Sequence, residues 1–513
     1  MKKRISVGQG NGERTTFFPR GSLWVILLLG LAIRLVDLTD LPLDFHPNKQ
    51  LRSAMMARGM YYADLPSASD WQREMAVTQW HGMERLEPPI LETVTAWTYR
   101  LAGGEHLWIG RLYSSLLWVV GGLFLFLTAR TLSNNDGALV GVAYYLFLPY
   151  AVIASRSFQA DPFMVAAALA GVWALVRWSG QPDPSWRSTV AAGLIAALAP
   201  FVKVLIVFSM IGALVGLLLA TRGAKKTLRD PKAWAVMALM LLPSVAYYLV
   251  GTLVAGELAG NTTRFFPSML VSLRFYLDWS ELATWVAGPI AISAFLLGLV
   301  VSSARGRGLL IGLGLGYVAC GLVFPYHFST HDYYHLALIP ILALGISPVA
   351  SSLVRGVTEN TGGRVARILA LGVFAIAITF GLREARGRMA ARDFRAEAGY
   401  WEYLGELVGH SSNLVALSHD YGYRLEYYGW TLTRPWPAQV DFGLDALFGG
   451  QPETSEAWIQ GQLSGHSYFV ITVLGELEAQ PEVAAYLHSH YPVYASGDDF
   501  IIFDLRHPLP EGS

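Results

Sequence analysis

The chain has 513 residues, of which 53% are hydrophobic and 15% charged, against roughly 25% charged residues in an average soluble domain. The mean hydropathy is +0.39, and many apolar runs approach the roughly 20 residues that cross a bilayer, which predicts a polytopic membrane protein rather than a soluble one. The 38 basic and 38 acidic residues balance and give no indication of a nucleic-acid partner, while a single cysteine, Cys320, excludes an intrachain disulfide and a cysteine metal cluster.

The first predicted element is an apolar span over Leu23–Leu38. It lacks a small-residue cleavage site, so we expect it to remain as an anchor. Basic residues before it predict a cytoplasmic N-terminus by the positive-inside rule; they are Lys2, Lys3, Arg4, Arg14 and Arg20. A long polar outer loop, 38–105, follows, with helical patterns near Pro47–Tyr62 and Pro88–Ala102. Their mixed composition predicts helices that lie at the interface rather than cross it.

Further apolar segments bring the prediction to about eleven transmembrane helices, with the C-terminus outside. They are Leu107–Ala129, Ala138–Ala154, Phe163–Trp178, Thr189–Val202, Val204–Thr221, Ala233–Val254, Ala283–Val301, Leu309–Phe324, Leu336–Val354 and Val365–Phe380. Basic residues at 222–232 agree with this count, because they fall in a predicted cytoplasmic loop. Five arginines between Arg383 and Arg395 fall on the predicted outer side. Either they belong to a folded domain whose charge does not govern insertion, or the count is wrong by one.

The composition changes near residue 383, which divides the chain into a membrane domain, 1–382, and a small soluble α/β domain, 383–513. Strand, helix and hairpin patterns predict the second domain; they fall at Val415–Ser418, Tyr468–Val473, Pro481–Tyr491 and Pro492–Leu505. This domain carries no nucleophile, metal or phosphate motif. The predicted fold class is therefore a polytopic all-α membrane protein with a periplasmic or extracellular α/β domain.

Two acidic residues lie at the ends of apolar segments, on the same predicted side of the membrane. Asp44 lies in Leu43-Asp44-Phe45-His46-Pro47, and Asp161 follows Ser155-Arg156 and precedes Pro162. Ionisable groups there are costly to desolvate and mark functional sites. Other polar residues fall on the same side: His46, Glu87, Arg156, Lys203, His331 and Tyr333. Acids can accept protons and cations can neutralise phosphate oxygens, so the pattern predicts a site at the outer membrane face.

Four features, in chain order, carry a resemblance to a known superfamily. They are the outer loop with an early acid; Leu86-Glu87-Pro88-Pro89-Ile90 followed by Gly104 and Trp108-Ile109-Gly110-Arg111-Leu112; Ser155-Arg156 with Asp161; and His331-Asp332-Tyr333-Tyr334 leading into Ile339-Pro340. Over Ser22–Val354 the chain resembles the C-type glycosyltransferases, in the branch of the protein O-mannosyltransferases and the lipid A aminoarabinose transferase.

The resemblance implies an inverting transfer of a sugar from a polyprenyl-phosphate carrier to a hydroxyl of a protein, lipid or glycan acceptor. It places the chain in the cell (inner) membrane, with the reaction on the outer face. Asp44 would be the general base and Asp161 the second acid. Lys203, Arg156 and His331 would stabilise the departing phosphate, and His46, Glu87 and Tyr333 would contact substrate. No cofactor is indicated, and a divalent metal stays open without a pattern that points to one.

Several alternatives remain open at the level of sequence. Many relatives carry an Asp-Glu pair after His-Pro, where this chain has Asn48-Lys49. Asp44 could be a loop carboxylate, Asp161 a helix cap before proline, and Lys203 a residue that snorkels to lipid headgroups. The rival functions are a transporter or flippase of a lipid-linked substrate and a catalytically silent relative. Transporters place ionisable residues at mid-membrane and show repeats, and we find neither pattern.

Overall fold

The computed structural model describes residues 17–84, 87–254, 266–360, 364–447 and 455–510. Several residues used above lie outside the described residues: Lys2, Lys3, Arg4, Arg14 and Leu86. Within the described ranges the chain is mostly helical, with one small sheet near its C-terminus.

The first part of the chain forms four helices before the first long span. They are α1 Ser22–Arg34, α2 Pro47–Ala63, α3 Asp70–Gly82 and α4 Ile90–Ala102. The two helices predicted in the outer loop are confirmed as α2 and α4. Both start at or directly after a proline, which suits the first helical turn. The helix α3 was not predicted, because only Met75, Ala76 and Gln79 are buried along it and its apolar pattern is weak.

The membrane region contains the next fourteen helices of the described chain. They are α5 Leu107–Leu132, α6 Asn135–Phe147, α7 Pro149–Ala154, α8 Ala160–Ser179, α9 Trp186–Val202, α10 Val207–Arg222, α11 Ala224–Arg229, α12 Pro231–Leu249, α13 Leu273–Ala287, α14 Pro289–Val301, α15 Ala304–Val323, α16 Pro325–Thr330, α17 Leu338–Asn360 and α18 Arg364–Met389. Short turns lengthen three of these helices, giving apolar stretches over Val204–Arg222, Pro231–Leu253 and Asp332–Val357. This is a multi-pass membrane protein.

The number of spans is smaller than the eleven predicted. Seven helices in the described chain are long and apolar enough to cross a bilayer, and α13 with α14, bent by 94°, would make an eighth. The helices α1 and α9 are apolar but have 13 and 17 residues, short of the roughly 20 that a span requires. Pro149 divides the predicted third span into α6 and α7. The count of eleven is therefore not confirmed.

The C-terminal part forms the predicted small α/β unit. Its helices are α19 Glu397–Leu407, α20 Tyr423–Gly429, α21 Gln439–Leu447, α22 Glu456–Leu463, α23 Leu474–Glu478 and α24 Pro481–His490, and its strands are β1 Leu414–Leu417, β2 Thr433–Pro435, β3 Tyr468–Ile471, β4 Val493–Ser496 and β5 Ile501–Asp504. The strand order is β2-β1-β3-β5-β4; β2 and β3 run parallel to β1, and β5 runs antiparallel to β3 and β4. The predicted strands, helix and hairpin are confirmed. β2 was not predicted, because it has three residues and ends in proline.

Four apolar clusters lie within the described residues, and the two largest organise the molecule. The larger lies among the spans and includes Trp118 and Trp178. The second joins α2 to α19 and α20, through Leu51, Trp401 and Leu425. The C-terminal domain therefore packs on the helices of the first outer loop.

Hydrogen bonds also connect α2 and α3 to the C-terminal domain. Arg58 on α2 donates to the carbonyl oxygen of Tyr427 at 2.5 Å, and its guanidinium lies 3.6 Å from the centre of the Tyr427 ring. Gln79 on α3 donates to the carbonyl oxygens of Glu426 and Thr431, at 2.7 and 2.8 Å. These hydrogen bonds from the buried Arg58 guanidinium and the buried Gln79 Nε2 favour one orientation of the C-terminal domain.

One of the five arginines after the last span also lies at this junction. Arg395 contacts the carboxylate of Asp37, and its Nη1 lies 4.0 Å from Oδ1 of Asp40. These acids follow α1, so Arg395 lies on the side where the first outer loop begins. This contact favours the explanation that the arginines belong to a folded domain.

Candidate active site

The first long loop, between α1 and α5, and the ends of the membrane helices line an open cleft, in which about 430 Å³ is free of protein atoms and part of this space is open to solvent. Its charged lining comes from four separate parts of the sequence: Lys49, Arg52, Glu87, Glu92, Asp161 and Lys203. Three of these, Glu87, Asp161 and Lys203, were predicted as site residues. The structure therefore brings part of the predicted site together.

The helix α2 forms one wall of the cleft. It begins at Pro47, after His46 with a left-handed φ of 43°. Lys49, Arg52, Ser53 and Met56 then line the cleft, and their spacing of three and four residues places them on one helical face. Sequence reasoning missed Arg52, although this spacing from Lys49 was a usable signal.

Asp161 and Lys203 form a buried ion pair at the floor of the cleft. Nζ of Lys203 lies 3.0 and 2.8 Å from the two carboxylate oxygens of Asp161, and both residues are under 9% exposed. Burial opposes the charge of Lys203, but Asp161 and Glu87 hold the pKa of its ammonium above the usual value. Lys203 is therefore charged at neutral pH and is neutralised from within the protein, so it does not simply snorkel to lipid.

Glu87 joins two cations of the cleft. Its Oε2 accepts a hydrogen bond from Nη2 of Arg52 at 2.9 Å, and its Oε1 lies 3.7 Å from Nζ of Lys203. Burial alone would raise the pKa of Glu87, but Lys203 and Arg52 bring the pKa below its ordinary value. Glu87 is therefore ionised and weakly basic.

Lys49 is the cation of the cleft that has no ion-pair partner among the described residues. Its Nζ lies 5.8 Å from the centre of the Tyr333 ring, and Nζ of Lys203 lies 5.4 Å from the same centre. Burial, together with Arg52 and Lys203, lowers the pKa of Lys49 to about 8. A partly buried ammonium in this position is stabilised by any anion that enters the cleft.

Glu92 is a further carboxylate in the cleft, and sequence reasoning missed it. It lies in the first turn of α4 and is 7% exposed. Its Oε1 accepts a hydrogen bond from Oγ of Ser53 on α2 at 2.7 Å. An acid in an otherwise apolar stretch, Ile90-Leu91-Glu92, was the available signal.

Asp44, the predicted base, is not among the residues that line the cleft. Its Oδ2 accepts from Nη2 of the fully buried Arg111 at 2.6 Å and lies 3.8 Å from Nε of Arg156. Gln50 also contacts this acid, with its Nε2 3.4 Å from Oδ1 of Asp44 and its Oε1 accepting a hydrogen bond from the backbone N–H of Phe158. The structure therefore groups Asp44 with Arg156 and apart from the other predicted acid.

Arg156 supports the chain that leaves α1. Its two terminal nitrogens donate to the carbonyl oxygens of Val36 and Asp37, each at 2.7 Å. Because these bonds and the contact with Asp44 occupy its guanidinium, Arg156 is held away from the cleft.

His331 and Tyr333, which come just before the tenth predicted span, lie beside the cleft together with His46. Nε2 of His46 lies 2.5 Å from Oδ1 of Asp332, and the His46 ring packs edge-on against Tyr333, whose centre is 4.8 Å away. His331 lies on the far side of Tyr333, with ring centres 5.5 Å apart. Tyr333 thus connects the two histidines to Lys49 and Lys203. Among the described residues no group of three or more His, Cys, Asp or Glu side chains is arranged to hold a metal.

The polar cleft adjoins two apolar cavities within the membrane region. Asp161 also lines a cavity of about 350 Å³ between α8, α10 and α15. That cavity shares Ile206, Ser209 and Ala337 with a third, of about 310 Å³, whose lining is otherwise apolar. The charged cleft therefore shares one wall residue, Asp161, with apolar space among the spans.

The comparison with protein families gives one match. Residues 86–250 match the family of dolichyl-phosphate-mannose-protein mannosyltransferases. This segment includes Glu87, Glu92, Asp161 and Lys203, but not α2. No protein of curated function matches the sequence.

Solved structures with the same fold cover nearly the whole chain. ArnT from Cupriavidus metallidurans, in the apo state, has a TM-score of 0.59 and 17% identity, over 94% of this chain and 98% of that one. The archaeal oligosaccharyltransferase AglB from Archaeoglobus fulgidus has a TM-score of 0.54 and 11% identity, over 93% and 74%. The arabinofuranosyltransferase AftD from Mycobacteria has a TM-score of 0.52 and 16% identity, over 95% and 40%. All three are C-type glycosyltransferases. The resemblance predicted from the sequence is therefore confirmed: the chain has the fold of the C-type membrane glycosyltransferases.

Proposed function

We propose that this protein transfers a sugar from a polyprenyl-phosphate carrier to an acceptor hydroxyl at the outer membrane face, with inversion at the anomeric carbon. The observation that carries the proposal is the charged cleft that shares Asp161 with an apolar cavity among the spans, which in turn adjoins a second apolar cavity. A phosphate linked to a long hydrocarbon chain fits these two environments, because each half of the donor finds a lining of matching polarity.

The phosphate end of the donor would lie against the cations of the cleft. Arg52 and Lys203 are already paired with carboxylates, so the ammonium of Lys49 would supply the positive charge that is not paired among the described residues. As the carbon–oxygen bond breaks, negative charge grows on the phosphate, and a fixed ammonium stabilises that charge. Two structural neighbours support such a donor: ArnT has been solved bound to undecaprenyl phosphate, and AglB with a dolichol-phosphate.

The acceptor would enter the cleft from the side of α2 and α4, and a carboxylate would take its proton. On sequence grounds Asp44 and Asp161 are the candidates. Asp161 lines the cleft and holds Lys203, so it would position this cation toward the phosphate. For Asp44 to act as base, Arg111 would have to release it. The acceptor class, whether protein, lipid or glycan, follows from neither residue.

Transfer by the purified full-length protein is the direct test. We expect radiolabel to move from at least one polyprenyl-phosphate sugar to an acceptor, with the product in the opposite anomeric configuration. Absence of transfer with every carrier sugar would contradict the proposal. Movement of the intact carrier between the leaflets of a vesicle would instead support a flippase, the rival function.

Donor affinity should depend on pH through Lys49. Its pKa of about 8 means that the ammonium is charged below that pH and neutral above it. We therefore expect the donor KM to rise above pH 8, by up to about tenfold per pH unit. The measurement is the donor KM from about pH 6.5 to 9.5.

Lys49→Met provides the matched comparison. It should raise the donor KM at neutral pH and remove the alkaline rise, because no titrating ammonium remains. An alkaline rise of equal size in this variant would show that another group is responsible.

A further inference from the structure

The carboxylates that line the cleft, and that of Asp44, differ in whether a cation is their direct partner. Asp161 is paired with Lys203, Glu87 with Arg52, and Asp44 with Arg111, at 2.8, 2.9 and 2.6 Å. Each of these three carboxylates therefore already has a cation as its direct partner.

Glu92 differs from all three. Among the described residues no cation lies within ion-pair distance of its carboxylate, and the hydroxyl of Ser53 is its side-chain partner. The charged groups that face it from other elements are Arg52 and Glu87, which act on it with opposite sign. Burial raises the pKa of the Glu92 carboxyl, against the hydrogen bond from Ser53. Glu92 is therefore an acid of the cleft whose carboxylate is not held by a cation among the described residues.

The position of Glu92 also suits this role. It projects from the first turn of α4 toward α2, where Ser53 lies four residues after Lys49 and on the same face. An acceptor hydroxyl in the cleft would have the Glu92 carboxylate as its proton acceptor, and the Lys49 ammonium, about one helical turn from Ser53, would be available to the departing phosphate.

We propose that Glu92 is the catalytic base of the transfer reaction, an assignment that rests on the proposed function above. The acceptor oxygen attacks the anomeric carbon and forms the new glycosidic bond. The bond between that carbon and the phosphate oxygen breaks, and its electron pair leaves with the lipid phosphate. The hydroxyl proton moves to the Glu92 carboxylate, which later releases it to water.

Glu92→Gln in the full-length protein is the first test. It keeps the shape and the hydrogen bond with Ser53 but cannot accept the proton. We expect kcat to fall by about 10²- to 10⁴-fold, with the donor KM within about threefold of the wild type. Glu74→Gln on the exposed face of α3 is the matched control and should keep full activity, because it makes the same charge change far from the cleft.

Ser53→Ala separates a base from a residue that only supports the fold. Removing the hydroxyl leaves the carboxylate intact and removes the hydrogen bond that lowers its pKa. If Glu92 is the base, the acidic limb of the kcat/KM profile moves to higher pH. A limb that stays in place would overturn the assignment, whatever the stability of Glu92→Gln.

The outcomes separate this assignment from the proposed function. Transfer by Glu92→Gln within about threefold of an active wild type would overturn the role of Glu92 and leave glycosyl transfer standing. No transfer by the wild type with any donor would overturn both.

Discussion

Asparagine in place of Asp161 should abolish measurable transfer and strongly destabilise the protein. Asp161 accepts two hydrogen bonds from Lys203 in a buried position. Removing one partner of a buried pair leaves an uncompensated charge and costs about 3–5 kcal/mol of folding free energy. Since Lys203 would also lose its fixed orientation in the cleft, we expect transfer to fall by at least about 100-fold. Thermal unfolding and initial transfer rates of the two proteins give both quantities.

The double variant Asp161→Asn/Lys203→Met separates the two effects. Removing both members of a buried pair is often nearly neutral for stability, so the melting temperature should return toward that of the wild type. Transfer should not return, because the cleft has lost both groups. Wild-type stability and rate in Asp161→Asn alone would show that the pair has neither role.

Asparagine in place of Asp44 should have the second-largest effect, chiefly on stability. Arg111 is fully buried and Arg156 nearly so, and Asp44 is the carboxylate that both contact. Its loss leaves a buried guanidinium without its anion, at a cost of about 3–5 kcal/mol. The melting temperature of Asp44→Asn, measured beside its transfer rate, gives this effect.

This variant also decides between two assignments of the base. If Asp44 supports the fold, Asp44→Asn/Arg111→Met should recover stability and transfer together, because the buried charge is removed with its partner. If Asp44 accepts the acceptor proton, as the sequence predicts, the double variant would be stable and remain inactive. The second result would contradict the assignment to Glu92.

The sequence predicted the fold class through the strongest physical signal it carries. Long apolar runs such as Leu107–Ala129 are hard to mistake, because a bilayer sets their length. The number of spans was less predictable. Hydropathy alone cannot show that Pro149 divides one apolar run or that Gly288 allows the 94° bend between α13 and α14.

Part of the site was predicted from the sequence. Acids at the ends of apolar helices are rare, and they are therefore easy to identify in an apolar sequence. Asp161, Glu87 and Lys203 were identified in this way and lie together in the cleft. The pairing of each acid could not be predicted, since Lys203 is 42 residues from Asp161 and Arg111 is 67 from Asp44. Only the fold decides which carboxylate a given cation neutralises, and so which one stays basic.

The helix α2 serves two neighbours at once, and this has a consequence for any shortened form of the protein. One face carries Lys49 and Arg52 into the cleft, while Leu51 and Arg58 pack against the C-terminal domain. A chain cut after α18 would expose the apolar face of α2 to water and leave Arg58 without the carbonyl oxygen of Tyr427. The helix would then lose the surface that fixes its rotation, and with it the direction in which its cations point. The C-terminal domain is thus a structural support of the cleft, and we expect the membrane half alone to lose the arrangement of its cations.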